Sequence, residues 1–286
     1  MLNLENVEAE TGLMANNITG NVYHAVLNLF LDELKQTGEA IAAPIISGDE
    51  KKPAPQLPAY YSKLLAEKIE TVFDSFPRLP GGEYQLMSML TARLLRAQKP
   101  LFFSRLENFL AEFISCFAGF KVIATEENYS LPKDNYFLNG KIDCILEDIR
   151  GDSPQKNSLA IVDFKTKYKI EEGLANFQLP MYVRLAETKY KKNVDTALFF
   201  SITDAKPLVL FGVTQGMKGD DCIMRGSERY NEIMNEFDQN AARYAQEISS
   251  GTFSLFPSHS EQCQDCEYNK VCRTLYQVYQ GKNNGI

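Results

Sequence analysis

Asp163 and Lys165 stand two residues apart at the end of an apolar run, Leu159-Ala-Ile-Val162. Along a strand, residues i and i+2 point to the same side, so this carboxylate and this ammonium share one face. A second carboxylate, Asp143, ends another strand-like run, Tyr136 to Ile142, within Leu138-Asn-Gly140-Lys-Ile-Asp143. The turn-rich stretch at 150–157, with its Gly, Pro, Ser and Asn, folds the two strands into a hairpin. Two acids and a lysine then meet at one place. Two carboxylates make a hard oxygen site suited to Mg²⁺ or Mn²⁺. A lysine beside such a site can orient or activate a water and stabilise charge developing on a phosphate. D-x-K at a strand end is also an ordinary solvated strand terminus, so the pair alone does not decide the chemistry.

Other pieces lie in order around the pair: Gly20-Asn-Val-Tyr-His24, Glu126-Glu-Asn-Tyr-Ser-Leu131, Gly140-Lys-Ile-Asp143, Val162-Asp163-Phe-Lys165-Thr166, Gln178-Leu-Pro-Met-Tyr182, and Cys263-x2-Cys266-x5-Cys272. Together they resemble the PD-(D/E)XK nucleases, and within them the RecB-like exonuclease branch. The cysteine spacing is most similar to the nuclease domain of AddB-type helicase–nuclease subunits. The resemblance spans nearly the whole chain. It implies an α/β fold with a restriction-endonuclease-like core, a mixed central sheet flanked by helices, and a helical insertion at 36–118. The chain is expected to form a single domain over 1–286, with a cysteine-bearing segment at 251–286.

The resemblance also implies roles. His24, Asp143 and Asp163 are expected as metal ligands, with the Phe164 carbonyl as a fourth. Lys165 is the expected catalytic lysine, Glu126 the acid of the first strand, and Gln178 and Tyr182 helix residues near the site. Gln178 and Tyr182, spaced i, i+4, share one helix face. Thr166 adds a hydroxyl. The implied activity is a metal-dependent DNA exonuclease, with a partner subunit or the remainder of a larger chain, in recombination and double-strand break repair. A nuclease of the CRISPR-adaptation type is one alternative. A non-catalytic DNA-binding module on the same fold is another, and the intact set of His24, Asp143, Asp163 and Lys165 argues against it.

Of six cysteines, three cluster as Cys263, Cys266 and Cys272. In a cytosolic chain that spacing favours metal over disulfide. In the AddB-like family these three join an upstream cysteine to hold a [4Fe–4S] cluster, which takes four thiolates. No cysteine precedes His24. Three explanations stand: a fragment whose upstream cysteine lies outside it (the preferred one), substitution by Cys116, or a Cys₃His zinc site completed by His259. Cys144 and Cys222 read as a buried strand residue and a loop residue.

The elements that must position these groups follow from periodicity. Val22, Val26, Leu29, Phe30 and Leu34 recur at helical spacing and predict a helix over 20–35. The prolines and glycines of 36–58 predict a long mobile loop. Helices are expected at 59–75, 83–98 and from Pro100 to Cys116. Strands are expected at 120–127, 136–147 and 158–165, a helix at 173–190, strands at 195–202 and 207–214, and a helix at 227–249. The chain has 286 residues, enough for one large core. Its net charge of −7 argues mildly against a protein that coats nucleic acid but leaves room for local basic strips such as Lys165, Lys167 and Lys169. The cluster Lys189 to Lys192 reads as a solvated helix end. No apolar run is long enough to span a bilayer and no signal-peptide core is seen, so a cytoplasmic location is expected. No Walker A pattern occurs, so ATP hydrolysis is not expected of this chain.

Overall fold

The structure is a computed structural model that describes residues 16–47, 54–75, 89–151, 156–167, 172–212, 214 and 222–252. Helix α1 (Asn16–Thr37) is followed by two short strands, β1 (Ile45–Ser47) and β2 (Ala54–Gln56). Helices α2 (Ala59–Ser75), α3 (Met89–Ala97) and α4 (Lys99–Phe117) come next. Then come β3 (Phe120–Pro132), β4 (Phe137–Asp148), β5 (Leu159–Lys165), α5 (Glu172–Tyr190), β6 (Val194–Ser201), β7 (Lys206–Phe211) and α6 (Glu228–Ser249). The chain divides into two compact units, Met1–Phe237 and Asp238–Ile286, the division falling within α6.

The main sheet has the order β3-β4-β5-β6-β7. Hairpins make β3–β4, β4–β5 and β6–β7 antiparallel, whereas β5 and β6 are parallel and α5 is the crossover between them. A parallel pair needs such a crossover, because its second strand must restart from the same end. The mixed sheet flanked by helices is the α/β architecture expected for a restriction-endonuclease-like core. One face is covered by α1 and α4, with α2 packed on both helices. Phe109 and Phe113 of α4 pack edge-on against Phe164 of β5, with ring centroids at 5.6 and 6.0 Å, and Phe109 meets Phe200 of β6 at 4.9 Å. These rings are buried, and aromatic pairs in this geometry add stabilisation beyond their burial. Thus α4, inside the 36–118 segment, packs directly on the strand that carries Asp163 and Lys165. α5 packs against β3, β4, β5 and β6.

Several expectations change. Residues 36–58 are not simply a mobile loop. β1 and β2 pair antiparallel, and Pro55 is tolerated there because a two-stranded edge asks for few donors. Upstream, Ile41 N–H donates to the Phe120 carbonyl at 2.7 Å and Gly119 N–H to the Ile41 carbonyl at 2.9 Å, pinning this segment to the start of β3. The described part of the helix expected at 83–98 is Met89–Ala97. β3 runs on to Pro132 rather than 127, because polar and apolar residues keep alternating through the hairpin arm. β7 ends at Phe211 rather than 214. No helix among the described residues is long and apolar enough to cross a membrane.

Candidate active site

The site opens where β4 and β5 part. Their ladder runs from Glu147↔Leu159 to Cys144↔Val162 and goes no further. The next β5 amide on that side, Phe164 N–H, donates instead to Asp143 Oδ2 at 2.7 Å. A side-chain carboxylate thus replaces a main-chain partner, so the strands diverge without leaving a buried donor unpaired. Asp163 and Lys165 share one face, as their spacing requires: Lys165 Nζ lies 2.8 Å from Asp163 Oδ2 and 5.2 Å above the Phe199 ring centroid.

α1 brings His24 to the same place from outside the sheet. Its Nδ1 is 3.3 Å from Glu126 Oε1 and 3.7 Å from Asp143 Oδ2. The close approach of α1 depends on Gly20, because a Cβ there would stand 3.0 Å from Thr166 Oγ1, just past the end of β5. Glu126 has φ of +48°, a left-handed conformation that costs a non-glycine residue within a strand. The β3–β4 register runs unbroken past it, from Thr125↔Cys144 to Glu127↔Ile142, and the shift in the ladder lies earlier, between Val122 and Ala124. The two adjacent acids point to opposite sides, as successive strand residues do. Glu126 faces His24 and Lys141, whose Nζ is 2.5 Å from Glu126 Oε2, while Glu127 accepts from Lys189 at 2.7 Å and from Tyr129 at 2.8 Å.

α5 supplies the third wall. Gln178 Nε2 donates to Asp163 Oδ1 and to Tyr182 Oη, both at 2.9 Å, and Gln178 Oε1 accepts from Lys165 Nζ at 3.2 Å. One amide thus holds the acid and the lysine of the D-x-K pair together. Gly140 lets the helix come this near, since a Cβ there would lie 2.9 Å from Leu185 Cδ1 and 3.0 Å from the Tyr182 ring.

Electrostatics follow from crowding acids in a buried place. Burial, and then the charge of Asp163, push Asp143 up to about 7. Burial also raises Asp163, against the opposing pull of Lys165 and His24. For His24, burial works to lower the pKa, but Glu126, Asp143 and Asp163 outweigh it and hold the imidazole above its ordinary value. For Glu126, burial is outweighed by His24 and Lys141, which keep it below the usual carboxylate range. Burial pushes the Tyr182 hydroxyl up to about 12.

The donor set fits a divalent cation. Ligand atoms of His24, Glu126 and Asp143 lie within 4.8 Å of one another. Asp163 Oδ2 is buried and accepts no aligned hydrogen bond, although Lys165 is near. One imidazole nitrogen with carboxylate oxygens is a set that Mg²⁺ or Mn²⁺ accepts. Glu126 joins His24 and Asp143 in this geometry, whereas Asp163 is held on the side of Lys165 and Gln178. Phe164 contributes its amide to Asp143 and its ring to the core. Tyr182 stands behind Gln178. Sequence reasoning missed Lys141 as a neighbour of Glu126; the β3–β4 register sets the two diagonally across one face of the pair, a relation legible only once that register is known.

The described cysteines are Cys116, Cys144 and Cys222, all as thiols. Cys144 is buried in β4. Burial pushes the Cys116 thiol up to about 11, which makes it a reluctant thiolate. Cys263, Cys266, Cys272 and His259 lie outside the described residues.

A search of curated proteins found no match to the chain. A family model described as the PD-(D/E)XK nuclease superfamily matches residues 2–273.

Proposed function

The chain belongs to the PD-(D/E)XK nuclease superfamily, and from that membership we propose that it is a divalent-metal-dependent deoxyribonuclease, specifically an exonuclease domain that serves a helicase–nuclease in recombination and double-strand break repair. The observation that carries the nuclease activity is the meeting of His24, Glu126, Asp143, Asp163, Lys165 and Gln178, drawn from α1, β3, β4, β5 and α5, around one buried point. The exonuclease assignment is supported by the order of the motifs from Gly20 to Tyr182.

His24, Glu126 and Asp143 would hold the cation, with Asp163 completing the set from the opposite side. When bound, such a cation polarises a phosphoryl oxygen and lowers the pKa of water. The remaining work falls to the chain. Lys165, beside Asp163 and Gln178, stabilises charge on the phosphate in the transition state and orients the attacking water. Paired with Asp163, it acts as a positioned cation rather than as a free base. Gln178 fixes Lys165 and Asp163 in one geometry, and Tyr182 fixes Gln178. Phe164 N–H holds Asp143 through Oδ2, the oxygen that also lies 3.7 Å from His24 Nδ1. Cys263, Cys266 and Cys272 would hold a structural [4Fe–4S] cluster with a fourth thiolate, or zinc with His259.

The test is digestion of labelled linear and covalently closed single-stranded DNA with Mg²⁺, Mn²⁺ or EDTA. Linear strands are shortened from an end only when metal is present, closed circles persist, and Lys165→Ala loses about a hundredfold or more of the rate, the usual cost of removing a transition-state charge partner. Cleavage of circles at the linear rate refutes the exonuclease assignment. Cleavage in EDTA, or at full rate by Lys165→Ala, refutes the mechanism.

A further inference from the structure

Lys141 has no part in the mechanism above, yet its ammonium sits against a proposed ligand of the cation. Lys141 Nζ is 2.5 Å from Glu126 Oε2, on the opposite side of that carboxylate from His24, which approaches Oε1. Half of its side chain is exposed, at 51%, while Glu126 is 16% exposed. A half-buried acid is thus capped by a lysine on a flexible stem that reaches it from solvent.

Two properties of this arrangement matter. First, the acid cluster carries more negative charge than its burial tolerates, so a mobile ammonium serves as a counter-ion while the divalent site is empty. Second, an ammonium and a divalent cation compete for the same carboxylate. The lysine stem has four carbons, so the displaced head group stays within reach of the site mouth. The nearest new anion there is the backbone of the bound strand.

We propose that Lys141 is an exchangeable counter-cation: it neutralises Glu126 in the metal-free protein, yields the carboxylate to the divalent ion, and then binds a phosphate of the DNA strand next to the one being cleaved. This rests on the assignment of His24, Glu126 and Asp143 as the metal site. It gives a binding role to a residue that has none in the mechanism above, and it couples metal loading to strand binding, because the metal releases the lysine that the phosphate needs. By reciprocity, a bound strand that captures Lys141 leaves Glu126 open and tightens the metal.

The experiment pairs two measurements on Lys141→Met, which keeps the methylene stem, with Lys141→Arg as the charge-retaining variant. Mn²⁺ binding to the full chain without DNA is followed by titration calorimetry, with Asp143→Asn as the reference for a lost site. Removing the competitor makes Lys141→Met bind Mn²⁺ about two- to fivefold tighter, the range of a partly exposed ion pair. Single-stranded DNA binding is then measured in Mn²⁺ on a Lys165→Ala background, so that the strand is not consumed. Lys141→Met binds it several-fold more weakly, with the slope of log affinity against log salt reduced by about one phosphate contact. Lys141→Arg keeps the DNA affinity and slope. Weaker Mn²⁺ binding by Lys141→Met makes the lysine a fixed clamp on Glu126 and overturns the proposal, as does an unchanged salt slope. Failure of the wild-type chain to bind Mn²⁺, or equal binding by Asp143→Asn, overturns the metal site itself and the exchange with it.

Discussion

Asp143 is built to cost the metal-free protein stability, and its replacement by asparagine exposes the cost. Moving a carboxyl from its ordinary 3.8 to about 7 is a thousandfold change in proton affinity, or about 4 kcal/mol once the pH is above both values. The sign is destabilising. Between the two values the folded chain holds a proton that the unfolded chain has released, so stability falls as pH rises through that window and the penalty is complete above about 7. His24 adds to the same trend. Its pKa is raised, so its favourable contribution is present below 6.5 and disappears as pH climbs through the folded value. In the Asp143→Asn variant the amide oxygen would still accept the Phe164 N–H, but the side chain would carry no charge.

In EDTA at pH 8, Asp143→Asn is therefore expected to be more stable than the wild type by ~2–4 kcal/mol, after discounting for relaxation of neighbouring charges. For a chain of this size that is roughly 5–10 °C in melting temperature. At pH 5, where Asp143 is mostly protonated, the gap falls to less than half. With Mn²⁺ at about a thousand times its dissociation constant the order reverses, since the wild type gains about 4.1 kcal/mol and the variant gains nothing. Scanning calorimetry at the two pH values, with EDTA and with Mn²⁺, reads all of this. A variant that melts at or below the wild type in EDTA at pH 8 would falsify the claim that these crowded acids are destabilising, and with it the idea that they await a cation.

Three further outcomes follow from the same geometry. Gln178→Leu removes the amide that holds Asp163 and Lys165 together; kcat should fall about ten- to a hundredfold with KM within a factor of about three, as expected for a positioning residue, and steady-state kinetics on linear DNA checks the split. Gly140→Ala forces a methyl to within 2.9 Å of buried Leu185; it should cost ~1–3 kcal/mol in urea unfolding through overpacking and push Tyr182 away from Gln178. Elemental analysis of the purified chain decides the cysteine segment: iron with sulfide supports the cluster, stoichiometric zinc supports a Cys₃His site with His259, and neither metal removes both.

The sequence by itself determined a good deal. Strand alternation sets Asp163 and Lys165 on one face, and the β5 ion pair carries that spacing directly into space. Helical periodicity located α1, and the resemblance of the ordered motifs to the nuclease family implied the mixed sheet. These are local properties, fixed by the 2.0 and 3.6 residue periods of the backbone. What only the tertiary structure decided is non-local. The β4–β5 ladder stops at Cys144↔Val162, and Asp143 takes the Phe164 amide from across that gap. Strand alternation puts Glu126 and Glu127 on opposite sides, but that Glu126 meets His24, more than a hundred residues away, and Glu127 meets Lys189 is set by the packing of α1 and α5. The β3–β4 register and the docking of α1 place Glu126 with His24 and Asp143 and bring Lys141 against it. Neither composition nor spacing encodes these meetings, because each needs elements far apart in the chain to pack together.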